Sequence, residues 1–375
     1  MVVTVVGAGI VGAACARVLA RAGCRVTVCE ARFPGGGATA AGMGHVVVMD
    51  DSPDQLALTA RGRDLWEEVA PVLPAGAEYR RTGTLWVAAD DDEMVEASAK
   101  AARLAAAGIA CRLVDGAELA RREPALRAGL AGGLLVPDDA VVYPPPVAAW
   151  MMEEAVAAGA ECRRGQAAVA VDDDGQTRFE DGTRLGADVV VVATGAAVAR
   201  LVPGVPVRPR KGHLVITDRA PGFVTHQLVE LGYVKRAHDV GTDSVAFNVQ
   251  PRATGQLLVG SSRQIDVANR DIDAAMLSRM LARCLDYLPG LARVPAIRAW
   301  TGLRAATPDG LPLVGPWPGS PRTWLATGHE GLGITTALAT AEVLAAGLLG
   351  RQAPLPAAPL LPARLQPAPL AGGVR

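Results

Sequence analysis

Lysine is almost missing from this chain: of 37 basic residues only Lys100, Lys211 and Lys235 are lysines, and the rest are arginines. With 42 glycines and 27 prolines alongside, this reads as a compositional bias and not as a phosphate-binding surface. Net charge is also missing. The formal balance is −1, with both signs spread along the chain, which excludes a nucleic-acid groove and a polybasic membrane patch. The six cysteines form no CxxC pair, and no histidine stands at metal-ligand spacing from any of them, so they read as buried reduced thiols. No apolar run is long enough to span a bilayer; Val189–Val192 is too short and the Ala-rich Thr335–Leu349 too alternating. The N-terminus lacks a cationic stretch followed by an apolar core and a small-residue cleavage site. A cytoplasmic protein without a membrane span is expected, with peripheral attachment through a partner left open.

What is present suits a globular α/β protein. At 375 residues the chain can form two domains or one large body, and half of it is hydrophobic. Val2–Val6 is a continuous β-branched run, which predicts a strand buried on both faces. The helical spacing over Ala13–Ala22 ends at Gly23, and Arg25–Glu30 alternates as a second strand. Helices are predicted over 55–70, 92–107, 273–287 and Ile334–Leu348, with a proline-initiated one from Pro144. Strands are predicted at Thr84–Ala88, Asp188–Val192, Gly212–Asp218, Ser244–Gln250, Gln256–Ser261 and Thr323–Thr327. A three-stranded meander is expected at Ala168–Asp172, Thr177–Glu180 and Thr183–Leu185. No internal repeat is evident, and the Pro/Ala-rich tail from Gln352 reads as extended.

Gly7-Ala8-Gly9-Ile10-Val11-Gly12 carries the first chemistry. It follows a strand, opens a helix and is answered by Glu30 at the end of the next strand. In that context Gly7 allows the tight turn, Gly9 lets a pyrophosphate approach the backbone, and Gly12 allows close helix–strand packing. The helix start offers N–H groups and the positive end of its dipole to phosphates, and Glu30 can accept from both ribose hydroxyls. The bland alternative is a glycine-rich turn in some other α/β protein. After Glu30 come Ala31, Arg32 and a glycine-rich run into Thr39-Ala40-Ala41-Gly42-Met43-Gly44, which lets the backbone pass close to something flat and extended.

The order of these segments resembles the D-amino acid oxidase and glycine oxidase family of FAD-dependent oxidoreductases, over essentially the whole chain. Thr39–Met43 resembles the family's segment over the flavin, Ala193-Thr194-Gly195 its ATG segment near the pyrophosphate, and Val169 the position of a backbone contact to adenine. Arg208-Pro209-Arg210-Lys211-Gly212 resembles its crossing into the substrate domain. Trp300-Thr301-Gly302-Leu303-Arg304 with Thr307–Pro312 resembles its substrate-arginine block. Gly328-His329-Glu330-Gly331-Leu332-Gly333-Ile334 resembles its closing flavin loop, and Pro362-Ala363-Arg364-Leu365 its usual C-terminal sequence. The implied fold is α/β: a FAD-binding Rossmann-like (two-dinucleotide-binding) domain with an inserted α+β substrate domain built on a mostly antiparallel sheet. The FAD-binding domain would comprise 1–75, 140–207 and 300–365, the substrate-binding domain 76–139 and 208–299, and 366–375 a flexible tail.

The resemblance implies that Arg304 anchors a substrate carboxylate through its bidentate fork, although an ordinary salt bridge is the commoner fate of an arginine. His329 is implied in a structural or electronic role more than as a base; His45 and His213 are weaker candidates, and Lys211 supports the crossover. Some relatives attach flavin through a cysteine beyond the arginine block. None follows Cys284 here, so FAD should be held non-covalently. Where glycine-oxidase-like members often carry Tyr, this chain has Asn248. A polar amide there suits a substrate hydroxyl or ring nitrogen; an Asn turned to solvent is the equal alternative. Gly42–Pro53, Ser244–Gln264 and Gly328–Ala337 resemble the bacterial cis-4-hydroxy-D-proline dehydrogenases. The implied reaction takes hydride from the α-carbon of a D-amino or D-imino acid. Electrons would pass to a respiratory carrier, a partner subunit or oxygen. Cyanide-synthase and opine-oxidase subunits and glycine/sarcosine oxidases are the enzymatic alternatives. A flavin-containing structural subunit of a hetero-oligomer is the alternative of another class, and assembly as a homo- or hetero-oligomer is left open.

Overall fold

The computed structural model describes residues 1–232 and 243–365, so Lys235 and the 366–375 tail lie outside the described residues. The chain forms two compact units. Unit 1 comprises Met1–Thr39, Val147–Arg208 and the described residues from Ala305; unit 2 comprises Ala40–Pro146 and Pro209–Arg304.

Unit 1 is built on a six-stranded sheet in the order Leu313–Trp317, Ser320–Thr327, Val189–Val192, Val2–Val6, Arg25–Glu30, Glu161–Arg164. All neighbours pair in parallel except the first two, which form an antiparallel edge. The valine-rich strands Val2–Val6 and Val189–Val192 are what a sheet covered on both faces requires. Val3, Val5 and Val28 are fully buried, each worth about 1.5–3 kcal/mol over exposure. The helix Ile10–Arg21 packs along the helix Gly333–Leu348 and stops where Gly23 takes φ +86°. The meander forms a separate antiparallel sheet of Ala168–Val171, Gln176–Phe179 and Arg184–Gly186.

Unit 2 carries the larger sheet. Its order is Ala296–Ala306, Arg208–Thr217, Leu257–Ile265, Ser244–Pro251, Gln227–Glu230, Thr84–Ala88, Gly132–Val136, Arg112–Asp115. The first strand runs on into unit 1, where Ala305 and Ala306 pair with Glu330 and His329. The sheet is mostly antiparallel, and the Gln227–Glu230 pairing with Thr84–Ala88 is parallel. One face holds the apolar core of Val215, Phe247, Val249, Leu257 and Val259, closed by Met280 and Cys284 of the helix Ala274–Tyr287. The other face carries Met43, Leu214, Leu258 and Trp300.

Several predicted elements recur with small shifts. The second long helix runs Pro53–Val69 because Ser52 accepts from the Gln55 N–H, and the next runs Asp91–Ala106 because Asp90 accepts from Glu93. The strands Ala296–Ala306 and Gly132–Val136 were not anticipated. The first has no β-branched run. The second opens on glycines, one of which is there because a Cβ at Gly133 would overlap the Trp86 carbonyl oxygen. The Thr39–Met43 segment contains a single helical turn, Ala38–Ala41.

Glu230 ties sheet to helix in unit 2. Fully buried, it accepts from the Phe247 N–H at 2.8 Å, the Tyr287 hydroxyl at 3.2 Å and the Arg283 guanidinium. Glu230→Ala would leave Arg283 without its buried partner at a cost of about 3–5 kcal/mol. The denaturant midpoint should fall accordingly; an unchanged midpoint would show that the network contributes nothing.

Candidate functional site

In unit 1 the fingerprint residues converge on one backbone turn. Gly7 takes φ +99°, and a Cβ there would sit 2.8 Å from the Ala193 carbonyl oxygen. A Cβ at Gly12 would overlap the carbonyl oxygen of Gly7. Gly9 is different: its nearest neighbour would be the Thr39 hydroxyl at 3.4 Å, so no protein packing demands glycine there. That open approach is what a phosphate lying against the helix start needs. The Thr39 hydroxyl accepts from the Ile10 N–H at 3.0 Å. Glu30 accepts from Ala8 N–H at 2.8 Å and Arg32 N–H at 2.9 Å, pinning the turn to the second strand. Gly35 returns to donate to the Ala8 carbonyl at 2.8 Å.

Two further observations fit a dinucleotide at this turn. The buried hydroxyl of Thr194, beside Gly7, has no hydrogen-bond partner among the described residues. And the helices Ile10–Arg21 and Gly333–Leu348 begin without a side-chain cap, whereas Ser52, Asp90, Asp115 and Asp273 cap four others. The turn Gly9–Gly12 could hold a pyrophosphate and the helix start at Gly333 a flavin carbonyl edge; the Ile10, Gly331 and Leu332 N–H groups already donate to Thr39, Glu330 and the His329 carbonyl. Val169 stands half-exposed in the separate meander, whose leading residue Gln166 donates to the Glu30 carbonyl at 3.1 Å.

The loop before the last helix is tightly built. Gly328 takes φ +83° because a Cβ would meet Thr307 at 2.6 Å, and Glu330 adopts φ +47°. His329 is buried with Nε2 3.0 Å from the Thr340 hydroxyl, and burial pushes its pKa down to about 4. It is neutral near pH 7, which suits a packed, dipolar role.

In unit 2 several of the remaining predicted residues fall on one sheet face. Along Ala296–Ala306, alternation puts Trp300, Gly302 and Arg304 on the same side. Trp300 Nε1 donates to the Ala41 carbonyl at 3.3 Å, and a Cβ at Gly302 would sit 2.7 Å from Ala41. The Arg304 guanidinium lies directly over Gly212, where any Cβ would collide with it, and Nη1 donates to the Ser262 carbonyl at 3.0 Å. Asn248 is buried on this face beside Gly260, which Met43 Sδ approaches; its Oδ1 has no partner among the described residues, so it is not turned to solvent. Gly44 takes φ +93° against the Val142 carbonyl. Lys211 is buried and donates to Asn269 at 3.0 Å, a supporting contact. His213 is buried against Ser262 and the Asp273 N–H.

Sequence reasoning missed Gln250, which is fully buried and donates from Nε2 to the Met43 carbonyl at 2.7 Å. Two polar residues, Asn248 and Gln250, alternating with apolar Phe247 and Val249 were the available signal. His45 also gains weight: burial and the Arg304 charge push it down to about 4. Among the described residues no cluster of three metal-ligating side chains occurs, and no helix is long and apolar enough to cross a membrane.

Comparison with known proteins agrees with this geometry. The model of a family described as FAD dependent oxidoreductase matches residues 3–347. The chain is 28% identical to the hydrogen cyanide synthase subunit HcnC of Pseudomonas aeruginosa, over 99% of this chain and 98% of that protein. It is 28% identical to a glycine oxidase of the same organism, over 96% of this chain and 98% of the relative. The crystal structure of glycine oxidase from Geobacillus kaustophilus superimposes with a TM-score of 0.88, covering 97% of this chain and 99% of the other at 24% identity.

Two outcomes follow from the geometry. Gly212→Ala should displace the Arg304 guanidinium and lower kcat/KM by ~10²-fold while cofactor absorbance stays; unchanged kinetics would remove Arg304 from the site. His329 has a folded-state pKa of about 4 against 6.5, so its neutral form is the one that suits the fold. Stability is therefore full above about pH 6.5 and is lost as pH falls toward about 4. Denaturation midpoints of wild type and His329→Gln should diverge only over that window.

Proposed function

This chain belongs to the FAD dependent oxidoreductase family, and from that premise we propose that it takes hydride from the α-carbon of a D-amino or D-imino acid, with cis-4-hydroxy-D-proline going to the cyclic imine as the preferred reaction. The observation that carries this reading is Arg304: a guanidinium laid over Gly212 and steadied by the Ser262 carbonyl on a buried sheet face. A planar fork held in that way can take a carboxylate bidentately and so orient the carbon beside it. Asn248, with a buried oxygen lacking a donor, supports a substrate that brings an O–H or N–H to that face.

FAD, when bound, supplies the hydride acceptor. The chain's own residues hold and align. Gly7, Gly9, Gly12, Glu30 and Thr39 are assigned to the adenosine diphosphate half, and Gly328–Ile334 to the flavin edge. With no cysteine after Cys284, the cofactor is read as non-covalent. His45, kept neutral near pH 7, adds no positive charge to compete with Arg304 for the carboxylate. A respiratory carrier or partner subunit is the proposed electron acceptor, in line with a relative named as a subunit. The second reading, glycine or sarcosine oxidation or a cyanide-synthase-like subunit, draws on the names of the relatives.

Anaerobic mixing tests the substrate. The flavin should bleach with cis-4-hydroxy-D-proline. Bleaching with glycine or sarcosine alone would select the second reading, and no bleaching with these or with D-proline would leave a structural flavin subunit. Arg304→Ala should retain FAD and raise KM steeply while kcat drops; wild-type kinetics would exclude it as the anchor. Glu30→Ala should weaken FAD retention and leave substrate preference alone.

A further inference from the structure

Buried polar atoms are nearly always paired with protein or with ordered water. One row in unit 2 is not. Along Ser244–Pro251, Phe247 and Val249 enter the apolar core, so Asn248 and Gln250 occupy the opposite face. Leu228 pairs with Val249 and shares that core, so one step along the register Gln227 stands across from Gln250. Gln227 in turn pairs with Thr84 in the next strand.

The amide donors of Gln227 and Gln250 are used, and three acceptor atoms of the row are not. Gln250 Nε2 donates to the Met43 carbonyl, and Gln227 Nε2 donates to the Thr84 hydroxyl at 3.0 Å. Thr84 bonds onward to the Asp139 carboxyl, whose Oδ1 also accepts from the Val48 N–H at 3.3 Å. The Oε1 atoms of Gln227 and Gln250 and the Oδ2 of Asp139 are buried with no hydrogen-bond partner among the described residues. Arg63 Nη1 stops 3.9 Å from Asp139 Oδ1, beyond hydrogen-bond reach, and is likewise without one. Thr84, Gln227, Asp139 and Gln250 are each at most 1% exposed.

Two facing carboxamide oxygens cannot satisfy one another, but a water between them donates to both. A guanidinium 3.9 Å from a carboxylate is the spacing at which a bridging water belongs. We propose that this row is a hydrated proton path that carries the proton of a substrate ammonium from the Gln250 end to the Asp139 carboxylate. The proposal rests on the reading of Arg304 as carboxylate anchor, since the Arg304 charge acts on His45, which lies beside Gln250. An ammonium has no lone pair to assist hydride departure, so it must first lose a proton. In this step an N–H bond breaks, its electron pair stays on nitrogen, and the proton adds to a carboxylate oxygen of Asp139; nothing is oxidised.

The surroundings of Asp139 suit the task. Burial raises its carboxyl to about 7, against the Thr84 and Val48 hydrogen bonds and the positive charges of Arg63 and Lys100. Lys100 is itself ion-paired with Asp50. An acceptor poised near neutrality is ionised often enough to take a proton and basic enough to keep it.

The FAD-loaded enzyme without substrate should show an infrared protonated-carboxyl band that titrates near neutral pH and is absent in Asp139→Asn. In anaerobic flavin bleaching, Gln227→Leu cuts the row without touching Arg304. It should lower the limiting rate by ~10²-fold and enlarge the solvent deuterium effect, with KM within about twofold of wild type. No such band in wild type, or a Gln227→Leu enzyme with wild-type limiting rate and pH profile, overturns the path. An Arg304→Ala enzyme with unchanged KM overturns the anchor reading instead, and the infrared band is read independently of it.

Discussion

A Cβ at position 12 would occupy the space of the Gly7 carbonyl oxygen, so the helix Ile10–Arg21 can lie where it does only because that atom is absent. The same turn needs Gly7 at φ +99°, since its own missing Cβ leaves room for the Ala193 carbonyl. Unit 1 depends on these two close approaches. They bring the first helix down onto the ends of three parallel strands, place Glu30 where it can hold Ala8 and Arg32, and leave the helix start uncapped. Unit 2 repeats the device with different partners. Gly212 yields its side-chain volume to the Arg304 guanidinium, and Gly302 yields its own to Ala41.

Electrostatics then sorts the titratable groups. His45 and His329 are buried and held neutral near pH 7, whereas Arg304 keeps its charge on a buried sheet face. In the role proposed for Arg304, the neutral His45 adds no competing imidazolium charge. Elsewhere in unit 2 buried charge is compensated: Glu230 meets Arg283 and Tyr287, and Lys100 meets Asp50 over the Trp86 ring. Against that background the unpaired acceptors of Gln227, Gln250 and Asp139 stand out as a row and not as scattered defects.

Much of unit 1 was legible because its signals are local. A valine run, a glycine fingerprint and an acidic residue at the end of the second strand lie within the first thirty residues, and each reports its own backbone requirement. The helices at Pro53–Val69 and Asp91–Ala106 were readable from periodicity and needed only their caps, Ser52 and Asp90, to set the first residue. The strand Ala296–Ala306 was not, because its β-branched residues Ile297 and Thr301 stand alone among alanine, arginine and glycine and it is held by its neighbours in the sheet. Gly132–Val136 escaped for a related reason: its glycines weaken the strand signal while answering the Trp86 backbone.

The sequence by itself determined the cofactor class and singled out the candidate site residues, because glycine, arginine and carboxylate requirements are written one residue at a time. It could name Arg304 and Asn248, but not that Gly212 is the seat of the guanidinium or that Asn248 hides an unpaired oxygen. Nor could it join Gln227, Gln250, Thr84 and Asp139 into one row. These residues are far apart in the chain, and only the register of the paired strands sets them on one face. Register is a property of two strands at once, and burial a property of everything packed around them. Both were decided by the tertiary structure.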